Sequence, residues 1–374
     1  MSISQVVEGK AHILAYGGKI SEISKKAAVF YNPRMKLNRD ISIFTLSVFA
    51  EDIKRPITVA DPLAATGVRG IRYALEVSGV SEILFSDLNP TAIRLIKKNI
   101  AKNKIKNAVV EQEDANVFLS GRKNKIDFID IDPFGTPLPF LDSGARVVSI
   151  SGMLAITATD TAPLSGTYPR ASLRKYGAKP LRCDVQHELG IRILIANIAR
   201  ECAKYDKGFI PVLSLSDLHY FRVFGKVRKS KSAADASVKS IGYFIYCKEC
   251  GYRGFAPDNC QKACPNCSAK TDYAGPLWTG KIFDAEFCSK VFQKSKAVED
   301  KRLEKILGLI RDEALIDAPW YEIGFLSSVF HTNPPRIDEF VEKLQKAGFK
   351  ASRTHFSPTG VRTDAGINEI RKLI

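Results

Sequence analysis

The chain has 374 residues, 45% of them apolar, and a formal net charge of +16. It can build a full core as one large domain or two to three smaller ones, and it holds no run of about eighteen apolar residues, which excludes a membrane-spanning helix. The positive excess goes beyond what solubility requires and points to a polyanionic partner; nucleic acid is favoured over an anionic membrane surface because no isolated basic amphipathic helix stands out.

The opening Met1–Lys10 lacks the apolar segment of a secretion signal, so a cytoplasmic protein is expected. Its eight cysteines then argue for metal ligands or buried thiols rather than disulfides. After a partly polar, alternating start, Val29 to Asp40 holds aromatics, a proline and two arginines without periodicity and reads as a structured loop. Phe30 in it suits stacking on a base or a cofactor, or plugging the core. A helix is expected over 38–53, and from 57 strands and helices alternate: strands at 57–60, 82–86, 108–110, 126–131 and 153–157, with helices at 71–78, 91–103, after 115, and at 137–148. That alternation predicts a doubly wound parallel sheet with right-handed crossovers.

Ligands bind such sheets at the carboxyl ends of the strands. Gly67 and Gly70 let the backbone approach a ligand there. Asp87, about twenty residues on, is placed to take ribose hydroxyls. Asp114 can reach an adenine amino group, with Ala115 leaving room for the ring. Asp61 either orients the amino-acid end of such a cofactor or only caps its loop. The fourth strand ends in Asp132-Pro133-Phe134-Gly135. Pro133 has no N–H for the ladder and stops the strand, leaving a carboxylate and a ring at the ligand edge. An acid, a proline and an aromatic in a row suit methylation of a nucleobase amino group. The lone pair of that nitrogen is delocalised, and an acceptor for its N–H, such as Asp132, localises it. A carbonyl beside Pro133 can accept the second N–H, and Phe134 can stack on the base. The competing reading is a plain acidic strand end before a turn.

The polar, glycine-containing stretch 160–179 suits substrate contacts, a lid or a connector. A long amphipathic helix is expected over 184–203, and strands at 209–216, 220–227 and 241–246 are expected to finish the sheet with an antiparallel hairpin. Gly225–Ser232 is the densest basic run and is read as a phosphate contact or a solvated hairpin tip. Cys247, Cys250, Cys264 and Cys267 form two C-x-x-C pairs with residues 251–263 between them. Four thiolates so spaced close a tetrahedral, structural zinc site; iron is the alternative, and Cys260 is a spare thiol near it. After Pro276 the composition shifts. Helices near 287–291, 301–315 and 337–347, then a strand pair at 350–363, suggest a winged-helix-like module, with Arg353, His355 and Arg362 as RNA contacts or as packing residues.

Taken in order, Asp61, Gly67, Asp87, Asp114 and Asp132-Pro133-Phe134 resemble an S-adenosylmethionine-dependent methyltransferase of the Rossmann-like class. With Phe30-Tyr31-Asn32-Pro33, Asn38-Arg39-Asp40, the cysteine insert and Thr354-His355…Arg362-Thr363-Asp364, the whole chain resembles the tRNA (guanine-N2)-dimethyltransferases that act on guanine 26. The resemblance implies mono- then dimethylation of that guanine. It implies that Arg39, Arg69, Asp87, Asp114 and Ala115 bind S-adenosylmethionine, and that Phe30 and Phe134 sandwich the base. The organisation expected is a methyltransferase domain over 1–246, a zinc module over 247–274 and an RNA-binding domain over 275–374, in a monomer. Methylation of another RNA base or of DNA adenine, and a non-catalytic RNA-binding protein, are the alternatives; a dehydrogenase finds no hydride-transfer partner beside Asp132.

Overall fold

The computed structural model describes residues 3–16, 28–122 and 126–374, so the opening stretch 1–36 lies partly outside the described residues. An antiparallel hairpin comes first, β1 (Ile3–Glu8) and β2 (Ala11–Tyr16), its period-two pattern turning Ala11, Ile13 and Ala15 inward. A 3-10 turn over Pro33–Met35, capped by Asn32, leads into α1 (Lys36–Ile53).

The alternating core follows as β3 (Ile57–Asp61), α2 (Val68–Glu76), β4 (Val80–Ser86), α3 (Pro90–Lys102), β5 (Ala108–Glu111), α4 (Ala115–Ser120), β6 (Ile126–Ile131), α5 (Leu138–Val147) and β7 (Val148–Ala158). The stretch expected as a polar loop folds into two short helices, α6 (Thr161–Leu164) and α7 (Pro169–Tyr176), before α8 (Gln186–Ala203). A hairpin, β8 (Lys207–Asp217) with β9 (Tyr220–Lys229), completes a sheet that has, among the described residues, the order β5-β4-β3-β6-β7-β9-β8. The five strands from β5 to β7 run parallel; β9 runs antiparallel to β7, and β8, antiparallel to β9, returns to the common direction. All six residues of β6 are buried, as a central strand covered on both faces requires.

Two expectations change at this point. The basic run Gly225–Ser232 is no hairpin tip: it is the end of β9 passing into α9 (Lys231–Lys239), capped by Ser230. The strand β10 (Ile241–Tyr246) does not join the central sheet. The free edge of β8 is covered by α9, whose Ser237 Oγ takes the Phe209 N–H at 3.0 Å. β10 instead pairs with β11 (Arg253–Ala256) and β12 (Asp272–Trp278) in a separate antiparallel sheet that carries the cysteines.

Helices α10 (Ala285–Ser295) and α11 (Lys301–Glu313) contribute Phe287, Val291, Leu303 and Leu307 to the same apolar core as the central sheet. A second, smaller core forms only beyond them, from β13 (Trp320–Glu322), α12 (Ile323–Phe330), α13 (Ile337–Lys346), β14 (Ala351–Arg353), β15 (Gly360–Thr363) and α14 (Ile367–Leu373). The expected partition at 246 and 274 therefore meets a continuous core. The junction is ionic and buried: Arg362 donates to Glu188 of α8 at 2.7 Å and to Glu313 of α11 at 2.9 Å. His355 binds Glu313 through Nδ1, and its Nε2 accepts the Ser216 N–H at 3.1 Å. Of the three residues offered as RNA contacts, His355 and Arg362 are thus packing residues between the two cores, while Arg353 stays half-exposed beside Asp338. Among the described residues no helix is long and apolar enough to cross a membrane.

Candidate active site

The carboxyl edge of the parallel strands gathers most of the expected residues. Asp132 follows β6 directly, with its side chain 22% exposed. Pro133 is buried, and Gly135 turns the chain with φ +86°, in the region that favours glycine. The turn is fixed to the neighbouring strand. The Gly135 N–H donates to Thr159 Oγ1 at 2.7 Å, and the Thr159 N–H returns to the Gly135 carbonyl at 2.9 Å. Phe134 is left 69% exposed, and its ring meets that of half-buried Phe30 edge to face, with centroids 4.5 Å apart and planes at 84°. The two rings named as a base sandwich are therefore partners in contact.

Asp132 is gripped from below. Arg69, buried in the first turn of α2, donates through Nη2 to Asp132 and through Nη1 to Ser42 Oγ at 3.1 Å, with Asp130 at 3.4 Å. Asp130, fully buried, accepts both terminal nitrogens of buried Arg222 at 2.7 Å and the Tyr73 hydroxyl at 2.5 Å. Burial alone would push the Asp130 carboxyl up; Arg222 and Arg69 overcome this and hold it below the usual carboxylate range. Asp61 completes the cluster from the end of β3, accepting the Gly70 N–H at 3.2 Å. Burial, then the adjacent Asp130 charge, pushes its carboxyl up to about 7. Through the Gly70 bond Asp61 holds its own loop. Two guanidinium charges then face Asp130 and Asp132, with Asp61 the member that carries a proton near neutrality.

The cofactor candidates lie one and two strands over. Asp87 accepts the Ala65 and Asn89 N–H groups, each at 2.8 Å, closing the loop that contains Gly67, itself at φ +75°. Each oxygen keeps lone-pair capacity for a further donor. Asp114 caps α4 through one oxygen, accepting from Asn116 N at 2.9 Å, next to buried Ala115. Arg39 is held by the N-terminal hairpin. Its guanidinium makes two 2.6 Å bonds to Glu8 of β1 and one to the Asn32 carbonyl at 3.1 Å. Arg72 joins the same cluster, at 3.0 Å from Glu8 and 2.6 Å from Asp40.

Away from this edge, the Sγ atoms of Cys247, Cys250, Cys264 and Cys267 all lie within 4.8 Å of one another, with Cys247–Cys267 and Cys250–Cys264 each at 3.6 Å. Metal–sulfur bonds of about 2.3 Å in a tetrahedron set sulfurs about 3.8 Å apart, so the donor set fits zinc. Gly251 and Ser268, just after each pair, take the left-handed conformation that closes each arch. Cys260 is exposed and stands outside the group.

Sequence reasoning missed Glu8, Ser42, Tyr73, Asp130 and Arg222. Asp130 carried a signal: with Asp127 it is one of two carboxylates in a strand whose other residues are apolar, and a buried carboxylate must find a partner. Arg222, set among Tyr220, Phe221, Val223 and Phe224, carried the matching one.

A parallel sheet with a reversed terminal hairpin and acidic turns at its ligand edge defines a Rossmann-like methyltransferase fold. The family described as "TRM: N2,N2-dimethylguanosine tRNA methyltransferase" matches over residues 7–374, and the chain belongs to that family. The tRNA (guanine(26)-N(2))-dimethyltransferase of Methanothermobacter thermautotrophicus is 41% identical over 95% of this chain and 94% of its own length. The tRNA (guanine(26)-N(2)/guanine(27)-N(2))-dimethyltransferase of Aquifex aeolicus is 38% identical over 94% and 90%. The solved complex of Trm1 from Pyrococcus horikoshii with S-adenosyl-L-methionine is 35% identical, covers 99% of both chains and has a TM-score of 0.88.

Proposed function

We propose that this chain methylates N2 of guanine 26 in tRNA, twice in succession, with S-adenosylmethionine as donor and Asp132 as the acceptor for the N2–H. The observation that carries the assignment is Asp132 itself: a partly open carboxylate at the ligand edge, held by Arg69 and followed two residues on by an exposed ring. The bound cofactor supplies an activated sulfonium methyl. Asp87 has acceptor capacity for its ribose hydroxyls, and the second oxygen of Asp114 suits the adenine amino group beside Ala115. Arg69, bonded through Nη1 and Nη2, and Arg39, bonded through Nε and Nη2, each keep N–H groups to spare for its carboxylate.

The target base leaves the helical stack to reach this edge. Two van der Waals spacings separate rings on either side of a base by about 7 Å, so Phe30 and Phe134 part from their 4.5 Å contact to admit it. Asp132 then accepts the N2–H, localising the nitrogen lone pair toward the methyl carbon. After the first transfer one N–H remains; once the proton on Asp132 has passed to solvent and the spent thioether has been exchanged for a second donor, the same carboxylate serves the second. Alignment provides most of the rate, because the methyl donor is already activated.

The four-cysteine cluster holds zinc structurally, since four sulfurs leave no open position. It braces the C-terminal core, as Gly251 in its first arch packs on Leu326 and Ile367. The test is incubation of unmodified tRNA with labelled S-adenosylmethionine followed by nucleoside analysis and position mapping. N2,N2-dimethylguanosine at position 26 is expected; undiminished labelling of a transcript with adenine at that position contradicts the assignment.

A further inference from the structure

The segment after β7 has no role in the chemistry above, yet it sits against the site. β7 runs parallel to β6, so it leaves the sheet at the edge where Asp132 lies, and Thr159 is bonded twice to Gly135. The segment is tied down at two points. Asp160 accepts the Tyr176 hydroxyl at 2.6 Å, and the backbone of Gly166 lies so close to that of Arg182 that an added Cβ would stand 2.9 Å from its nitrogen. Helix α7 buries Ser172 and Tyr176 and turns Arg170, Leu173 and Arg174 to solvent; Tyr168 just before it is 61% exposed. Arg170, Arg174 and Arg182 are exposed and make no ion pair among the described residues, whereas Lys226, Lys290 and Lys294 elsewhere on the surface are paired with Asp52 or Glu51.

We propose that this rim grips the tRNA backbone beside the target guanine. The arginines take phosphates and Tyr168 stacks on an unpaired neighbouring base. The charge complementarity is direct, because a planar guanidinium binds a phosphate through two parallel bonds and the chain carries an excess of +16. Phosphate contacts fix register without reading sequence. A rim bolted to the Gly135 turn delivers the flipped base to Phe134 in one orientation. The proposal rests on tRNA being the substrate, not on the roles given to Asp132 or the two phenyl rings.

The test replaces the three arginines together, Arg170→Gln, Arg174→Gln and Arg182→Gln. Expected are a rise of about tenfold or more in the KM for tRNA, kcat within about twofold, unchanged S-adenosylmethionine binding by calorimetry, and a salt dependence of tRNA affinity shallower by about 2–3 log units per log unit of salt. Unchanged KM and salt slope with cofactor binding intact overturn the proposal. If the triple variant loses cofactor binding, the unaltered protein decides: tRNA should protect these arginines from phenylglyoxal, and equal labelling with and without tRNA overturns it. Should the unaltered protein fail to methylate tRNA at all, the substrate reading falls instead.

Discussion

Replacing Asp61 by Asn keeps the side-chain shape and an acceptor for the Gly70 N–H, but removes a carboxyl that burial and the Asp130 charge push up to about 7. In the unfolded chain that group titrates near 3.8. Because the folded value is the higher one, the folded state holds a proton that the unfolded state gives up between the two. Stability from this group therefore falls as pH rises from about 4 to about 7 and stays lost above that. A gap of about 3 pK units at 1.36 kcal/mol each amounts to about 4 kcal/mol, of which about 3 kcal/mol falls between pH 5 and pH 8. Asp61 is buried, so solvent screening does not reduce the figure. Urea unfolding of both proteins from pH 5 to pH 9, read as midpoint times slope, gives the difference directly. The Asp61→Asn protein should gain about 3 kcal/mol relative to the parent across that range. A difference that stays flat with pH would refute the charge balance drawn beneath the site.

The buried pair next to Asp61 makes its own prediction. Asp130→Asn leaves the guanidiniums of Arg222 and Arg69 short of counter-charge and should cost about 3–5 kcal/mol in unfolding experiments; a cost below about 1 kcal/mol would mean the pair is not buried as described. Phe134→Ala removes a ring that is 69% exposed, so stability should move by no more than about 0.5 kcal/mol. Turnover on tRNA should nonetheless fall about ten- to a hundredfold, as loss of a base stack worth about 1–3 kcal/mol demands; unaltered turnover counts against the stack. Atomic emission should find about one zinc per chain in the parent and in Cys260→Ser but none in Cys264→Ser. Retention of zinc by Cys264→Ser would displace that cysteine from the ligand set.

The alternating core was legible because each strand and helix there carries its own period, and because Pro133 and the acidic turns mark where strands end. The cysteine spacing announced its site for the same local reason. What stayed hidden is non-local. Glu8 lies in a half-polar hairpin, and only the fold brings it to Arg39 and Arg72. The partners of Arg222 and Arg362 are equally distant: carboxylates 92 and 174 residues away hold them in the interior. β10 has the pattern of a sheet strand, and nothing local reveals that α9 has already covered the edge it was expected to join. Asp87 and Asp114 stand at the expected strand ends, after β4 and β5.

The most direct measurement is the single-turnover rate of methyl transfer to tRNA by Asp132→Asn, with cofactor binding followed by calorimetry. Asparagine keeps the shape and can still accept from Arg69, but it is a poor acceptor for the N2 proton. The rate should fall by about 10²–10⁴ while cofactor binding persists. Transfer at the parent rate would remove Asp132 from the reaction and, with it, the mechanism built on that carboxylate.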